Sequence, residues 1–119
     1  MSRRDAGLDR LLDLDGFIAE VGGGFWVKIV ARRVPPDADR PHGVSYTLTL
    51  HDPNGQRAFG IDNAHLIRVT RGPAGRSSPA RDHLHRGESV HPYAYRDADT
   101  LMHDFWLEVE AILKREGIE

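Results

Sequence analysis

A chain of 119 residues, 39% hydrophobic and 29% charged, has the size and balance of one globular domain spanning 1–119 and leaves no room for two. The absence of cysteine excludes disulfides, zinc knuckles, iron-sulfur ligation and thiol catalysis. A formal net charge of -2, taken alone, argues against a nucleic-acid binder.

The N-terminus carries arginines and no apolar h-region, and no stretch nears the roughly 18 apolar residues of a membrane span. A soluble, unexported, cytoplasmic chain is therefore expected. Leu8, Leu11 and Leu12 have helical spacing over barely two turns before Gly16, which predicts a short N-terminal helix. Phe17 to Val21, a glycine triplet, and Phe25 to Val34 read as two strands around a turn. In the second, Phe25, Val27, Ile29 and Ala31 share one face, and Lys28 and Arg32, with Trp26, take the other. Pro35 and Pro36 end it, because proline donates no ladder hydrogen bond.

The clearest strand runs from Val44 to His51, where Val44, Tyr46, Leu48 and Leu50 alternate with polar residues in period two. Asn54-Gly55 follows as a turn that accepts positive φ, leading to a partner strand over Arg57 to Ile61. Residues 71–81 are rich in Gly, Pro and Ser, carry three arginines, and predict an exposed, mobile loop. A last helix is expected from about Asp99 to Arg115, with Asp97 or Asp99 as N-cap and Gly117 as its stop. Leu101, Phe105, Val109 and Ile112, flanked by Met102, Trp106 and Leu113, form its apolar stripe. Laid across one sheet face, that stripe gives an α+β domain: an antiparallel sheet of four to five strands packed by a long C-terminal helix. The other sheet face and the loops remain for function.

The charge is unevenly distributed. Residues 21–96 hold 11 Lys and Arg against 6 Asp and Glu, whereas residues 1–20 hold 3 against 5 and residues 97–119 hold 2 against 7. Six of the seven histidines, His42, His51, His65, His83, His85 and His91, fall in that basic middle, and 14 of the 16 basic residues are arginine, whose planar fork suits phosphate. Two clusters stand out: Asp62, Asn63 and His65, and then Arg81, Asp82, His83, His85 and Arg86. In an extended segment His83 and His85 point to one side, and Asp82, Leu84 and Arg86 to the other.

Two imidazoles on one side can share a phosphate or a metal. A metal would need a third ligand from His65, His91 or Asp62, although the spacing matches no closed zinc motif. Without metal or other cofactor, one neutral histidine can take the proton of an RNA 2'-hydroxyl while a second group protonates the leaving oxygen, with an arginine such as Arg86 or Arg81 on the phosphoryl oxygens. Set against these readings, His83 and His85 fit the polar side of an edge strand, and Asp62-Asn63 fits a turn bonded to its own backbone. Tyr93 and Tyr95 fit sheet-face packing better than base stacking, and His103 fits a structural role.

In order, Arg32-Arg33-Val34-Pro35, Tyr46-Thr47-Leu48, Asp62-Asn63-Ala64-His65, Asp82-His83-Leu84-His85-Arg86 and Asp104-Phe105-Trp106 resemble the TumE-type toxin family of toxin-antitoxin modules, over about residues 25–119. The resemblance implies a growth-inhibiting toxin held in check by a cognate antitoxin, commonly a helix-turn-helix protein, and it leaves a homodimer open. The motif residues that carry over are Asp62, Asn63, His65, Asp82, His83, His85 and Arg86. The leading expectation is a metal-independent endoribonuclease with His83, His85, His65 and Arg86 in catalysis and Asp62, Asn63, Asp82 and Arg81 binding RNA. The alternatives are a metal-assisted nuclease and a non-enzymatic module that binds protein or nucleic acid through its Arg/His surface.

Overall fold

The computed structural model describes residues 5–38, 40–63 and 82–118. Helix α1 (Leu8–Asp13) is followed by strands β1 (Phe17–Gly22), β2 (Phe25–Arg33), β3 (Val44–His51), β4 (Arg57–Asp62), β5 (His83–Arg86) and β6 (Ser89–Pro92), and by helix α2 (Ala98–Arg115). All six strands lie in one sheet in chain order, each antiparallel to the next. The loop expected over 71–81, with Arg81 and also His65, lies outside the described residues.

Six strands replace the four to five expected. The additional one, Ser89–Pro92, is four residues long and exposed throughout, so it has no buried alternation to announce it. It pairs with β5 across a tight turn at Gly87, which puts β5 inside the sheet and makes β6 the edge. The expected edge position of His83 and His85 is thereby corrected.

Alternation then sorts the side chains. Val27, Ile29 and Ala31 of β2, Tyr46, Leu48 and Leu50 of β3, and Phe59 and Ile61 of β4 are buried together. Leu101, Phe105, Val109 and Ile112 of α2 close over them, with Ala98 and with Leu11 of α1. Each Val, Leu, Ile or Phe among them contributes about 1.5–3 kcal/mol when fully buried. The helix begins where Asp97 Oδ1 accepts from the Thr100 amide at 2.7 Å, which settles the N-cap between the two aspartates considered. One face of the sheet is thus covered by helix, and the other carries Trp26, Lys28, Thr47, Thr49 and Asp62.

One irregularity matters for that second face. Between β3 and β4 the register slips, so that Leu50 pairs with Phe59 but His51 pairs with Arg57, leaving Ala58 as an extra residue. Strict alternation from Phe59 would send Arg57 toward the helix. The bulge turns it to the open side instead.

Candidate functional site: a buried carboxylate with two imidazoles

The open face gathers its polar groups where β4 meets β5. Asp62 stands directly across from His83, and Gly60 directly across from His85, so the three side chains share one surface of the sheet. His85 Nε2 lies 3.0 Å from Asp62 Oδ2, and His83 Nδ1 lies 3.7 Å from Asp62 Oδ1. All three are buried, with exposures of 3% for Asp62, 1% for His83 and 7% for His85. The imidazole planes are tilted by 48° with centroids 6.1 Å apart, so the rings do not stack.

The two imidazoles are bonded unequally. His85 is paired with the carboxylate, whereas neither nitrogen of His83 has a hydrogen-bond partner among the described residues. The 3.7 Å separation from Asp62 exceeds hydrogen-bond length. A buried polar group left without a partner costs about 1–3 kcal/mol, so folding alone gives no reason to keep this one. Burial, and next to it the positive charge of Arg57, hold His85 below the ordinary histidine range, against the opposing pull of Asp62.

Arg57 reaches this place because Gly60 has no side chain. A Cβ at Gly60 would stand 3.3 Å from Arg57 Cδ, 3.1 Å from Thr49 Cγ2 and 3.3 Å from the Leu48 carbonyl oxygen. Beside it runs a concavity of about 570 Å³ lined by Trp26, Lys28, Thr47, Thr49, His51 and Arg57, among others. Trp26 and His51 stack at its rim, with centroids 4.1 Å apart and planes 11° apart. Asp62, His83 and His85 do not line this concavity, but Thr47 of its wall is the cross-strand partner of Asp62.

The remaining expected site residues lie elsewhere. Arg86 points to the helix face, where it pairs with Glu108 of α2 and lies 5.5 Å over the Phe59 ring. Asp82 accepts from the Tyr46 hydroxyl at 2.5 Å, below the covered side of the sheet. Burial, reinforced by that carboxylate, raises the Tyr46 hydroxyl far above its ordinary pKa. Asn63 is engaged with the backbone of β3: its Oδ1 accepts from the Tyr46 amide at 2.9 Å and its Nδ2 donates to the Val44 carbonyl at 2.8 Å. These bonds prolong the ladder past the end of β4 and commit one donor and one acceptor site of the carboxamide to the backbone. Asp82, Arg86 and Asn63 therefore do not join Asp62, His83 and His85, because strand alternation and backbone pairing commit them elsewhere.

His91 pairs with Leu84 and so shares its side of the sheet rather than that of the cluster. Tyr93 and Tyr95 pack against the core, with hydroxyls donating to Asp104 at 2.6 Å and Asp5 at 2.5 Å, as the packing reading expects. Of the third ligands considered for a metal, Asp62 is the one brought to the two histidines; its nearest carboxylate oxygen and one nitrogen of each ring lie within 4.8 Å of one another. Sequence reasoning missed Arg57. Only the bulge, which has no signature in a single sequence, turns it to this face.

The family model described as toxin TumE matches residues 12–113. The chain belongs to the TumE toxin family. The match starts inside α1, ahead of Phe25, so it takes in β1 and the first hairpin as well as both histidine motifs. Membership makes this the toxin of a toxin-antitoxin system, with a cognate antitoxin as its partner. No curated protein and no solved structure matches the chain. No helix among the described residues is long and apolar enough to cross a membrane.

Proposed function

We propose that this toxin arrests growth by cleaving RNA at the open face of its sheet, with Asp62, His83 and His85 at the reacting phosphodiester. The observation that carries the reading is a buried carboxylate with two imidazoles, beside a cationic concavity and on the face opposite α2. Lys28 and Arg57 supply charge for the RNA phosphates, and Trp26 with His51 offers an aromatic surface at the rim. The -2 net charge ceases to be an objection, because Asp104, Glu108 and Glu110 belong to α2 on the opposite layer, while Lys28 and Arg57 belong to the concavity.

Cleavage needs a group to accept the proton of the attacking hydroxyl and a positive charge for the phosphoryl oxygens. In the metal-free route His85, held by Asp62 and with its pKa lowered by burial, takes the proton of the 2'-hydroxyl as that oxygen bonds to phosphorus. His83 gives a proton to the 5'-oxygen as its bond to phosphorus breaks. Arg57 takes the place the sequence gives to Arg86, which is turned to α2. A helix-turn-helix antitoxin of the kind the family resemblance implies would neutralise the toxin by covering this cationic face.

The test is expression in a bacterial host of the unaltered chain against the His83→Ala/His85→Ala double variant, with growth and total RNA integrity as readouts. Growth arrest with broken RNA in the unaltered chain alone is expected. Arrest by both, with RNA intact, would sink the reading.

A further inference from the structure

We infer that Asp62, His83 and His85 form a binding site for one first-row divalent transition metal ion, of the class of Zn²⁺ or Mn²⁺. The inference shares residues with the proposed cleavage but does not depend on RNA being the substrate. Ligand atoms about 2.1 Å from a common ion stand about 3.0 Å apart at octahedral angles and about 3.4 Å apart at tetrahedral ones. The observed separations from the Asp62 oxygens are 3.0 Å for His85 Nε2 and 3.7 Å for His83 Nδ1. These two separations run to different oxygens of the one carboxylate, and one donor atom from each of the three residues lies within 4.8 Å of the others. Side-chain movement of up to about 1.4 Å brings the three donors to the spacing of ligands on one ion, with no change in the pairing of β4 and β5.

Three features single this group out from an ordinary polar cluster. His83 is 1% exposed and neither of its nitrogens has a hydrogen-bond partner among the described residues, so a coordination bond would satisfy a group that those residues leave unsatisfied. Asp62 and His83 are direct cross-strand partners and His85 is two residues along the same strand, across from Gly60, so the register of β4 and β5 holds the three donors on one face before an ion arrives. The donor set, two imidazoles and one carboxylate, suits zinc, manganese and iron rather than calcium, which takes oxygen ligands.

Three protein ligands leave coordination positions open, the arrangement of catalytic rather than structural sites. One carboxylate also leaves a doubly charged ion with a net positive charge. An ion here would hold an anionic oxygen of a phosphate ester lying in the adjoining concavity, with Arg57 beside it. The imidazoles then serve as ligands, and the ion supplies the charge that Arg86, turned to α2, does not.

The experiment is calorimetric titration with Zn²⁺ of the full chain stripped by a chelator, alongside Asp62→Asn, His83→Ala and, as a control, His91→Ala. One ion per chain is expected, with affinity reduced at least about tenfold in the first two variants and unchanged in the control. No binding, or equal binding by all four proteins, would overturn the site. Should the two site variants fail to fold, nitrogen NMR of the unaltered chain decides: Zn²⁺ must shift the ring nitrogens of His83 and His85, and shifts confined to other histidines overturn the site. The two readings fail separately. Zinc held by a chain that leaves RNA intact keeps the site and removes the cleavage, whereas RNA broken by a chain that binds no metal keeps the cleavage and removes the site.

Discussion

The two faces of the sheet follow the same alternation and put it to opposite uses. On the covered face Phe59, Ile61, Leu48 and Leu50 meet Leu101 and Phe105, and the polar groups at its margin are paired: Tyr46 with Asp82, Tyr93 with Asp104, Arg86 with Glu108. On the open face Asp62, His83 and His85 are more deeply buried than the Arg86–Glu108 pair, yet His83 has no hydrogen-bond partner among the described residues. Asn63 and His83 make the contrast sharpest, since Asn63, adjacent in sequence to Asp62, has both ends of its carboxamide bonded to β3. Where a protein satisfies a buried polar group it is holding the fold together. An unsatisfied one calls for a partner other than the described residues, such as an ion or a substrate.

Four substitutions sharpen or break this contrast. Phe105→Ala empties the centre of the covered face and is expected to cost about 3–5 kcal/mol, a large share of the roughly 5–15 kcal/mol that holds a domain folded; a thermal melt followed by helix circular dichroism would register it, and toxicity should fall with the fold. His85→Ala is expected to lower RNA cleavage about 10²–10⁴-fold, more than the loss of about 1–3 kcal/mol in the melt from leaving the buried Asp62 carboxylate without its partner would explain. A variant that still breaks RNA at the rate of the unaltered chain would remove the open face from the chemistry.

Gly60→Ala tests how closely the backbone and Arg57 must approach. Its methyl meets Thr49 and Arg57 at 3.1 and 3.3 Å, so a loss of about 1–3 kcal/mol is expected in the melt together with weaker RNA binding. Arg86→Ala is the smallest. Its partly exposed pair with Glu108 contributes up to about 1 kcal/mol, and toxicity should persist. If Arg86→Ala instead removed toxicity while the melt stayed put, the sequence expectation of a catalytic Arg86 would prevail over its observed position.

Much of the architecture is legible along the chain because it is local. Period two in Val44 to Leu50, the Asn54-Gly55 turn and the helical stripe from Leu101 to Ile112 each depend on neighbours a few residues apart, and each element is found where the pattern puts it. Strand β6 escaped because Ser89–Pro92 is exposed and has no face to bury. The pairing of His83 with His85 on one side of β5 was equally readable, as was the turning of Arg86 to the other, so a role for Arg86 beside them conflicted with the alternation itself.

What the sequence determined by itself was therefore the class of the fold, the covered face, and the sidedness of the two histidines, all consequences of backbone periodicity. The tertiary structure alone decided that Asp62 is their companion, that Asn63 serves the backbone, and that Arg57 comes to the open face. Those depend on the register between β4 and β5 and on the bulge at Ala58, which are set by pairing between strands. Residues 62 and 83 become neighbours only once that register is chosen, because nothing in the period of either strand refers to the other.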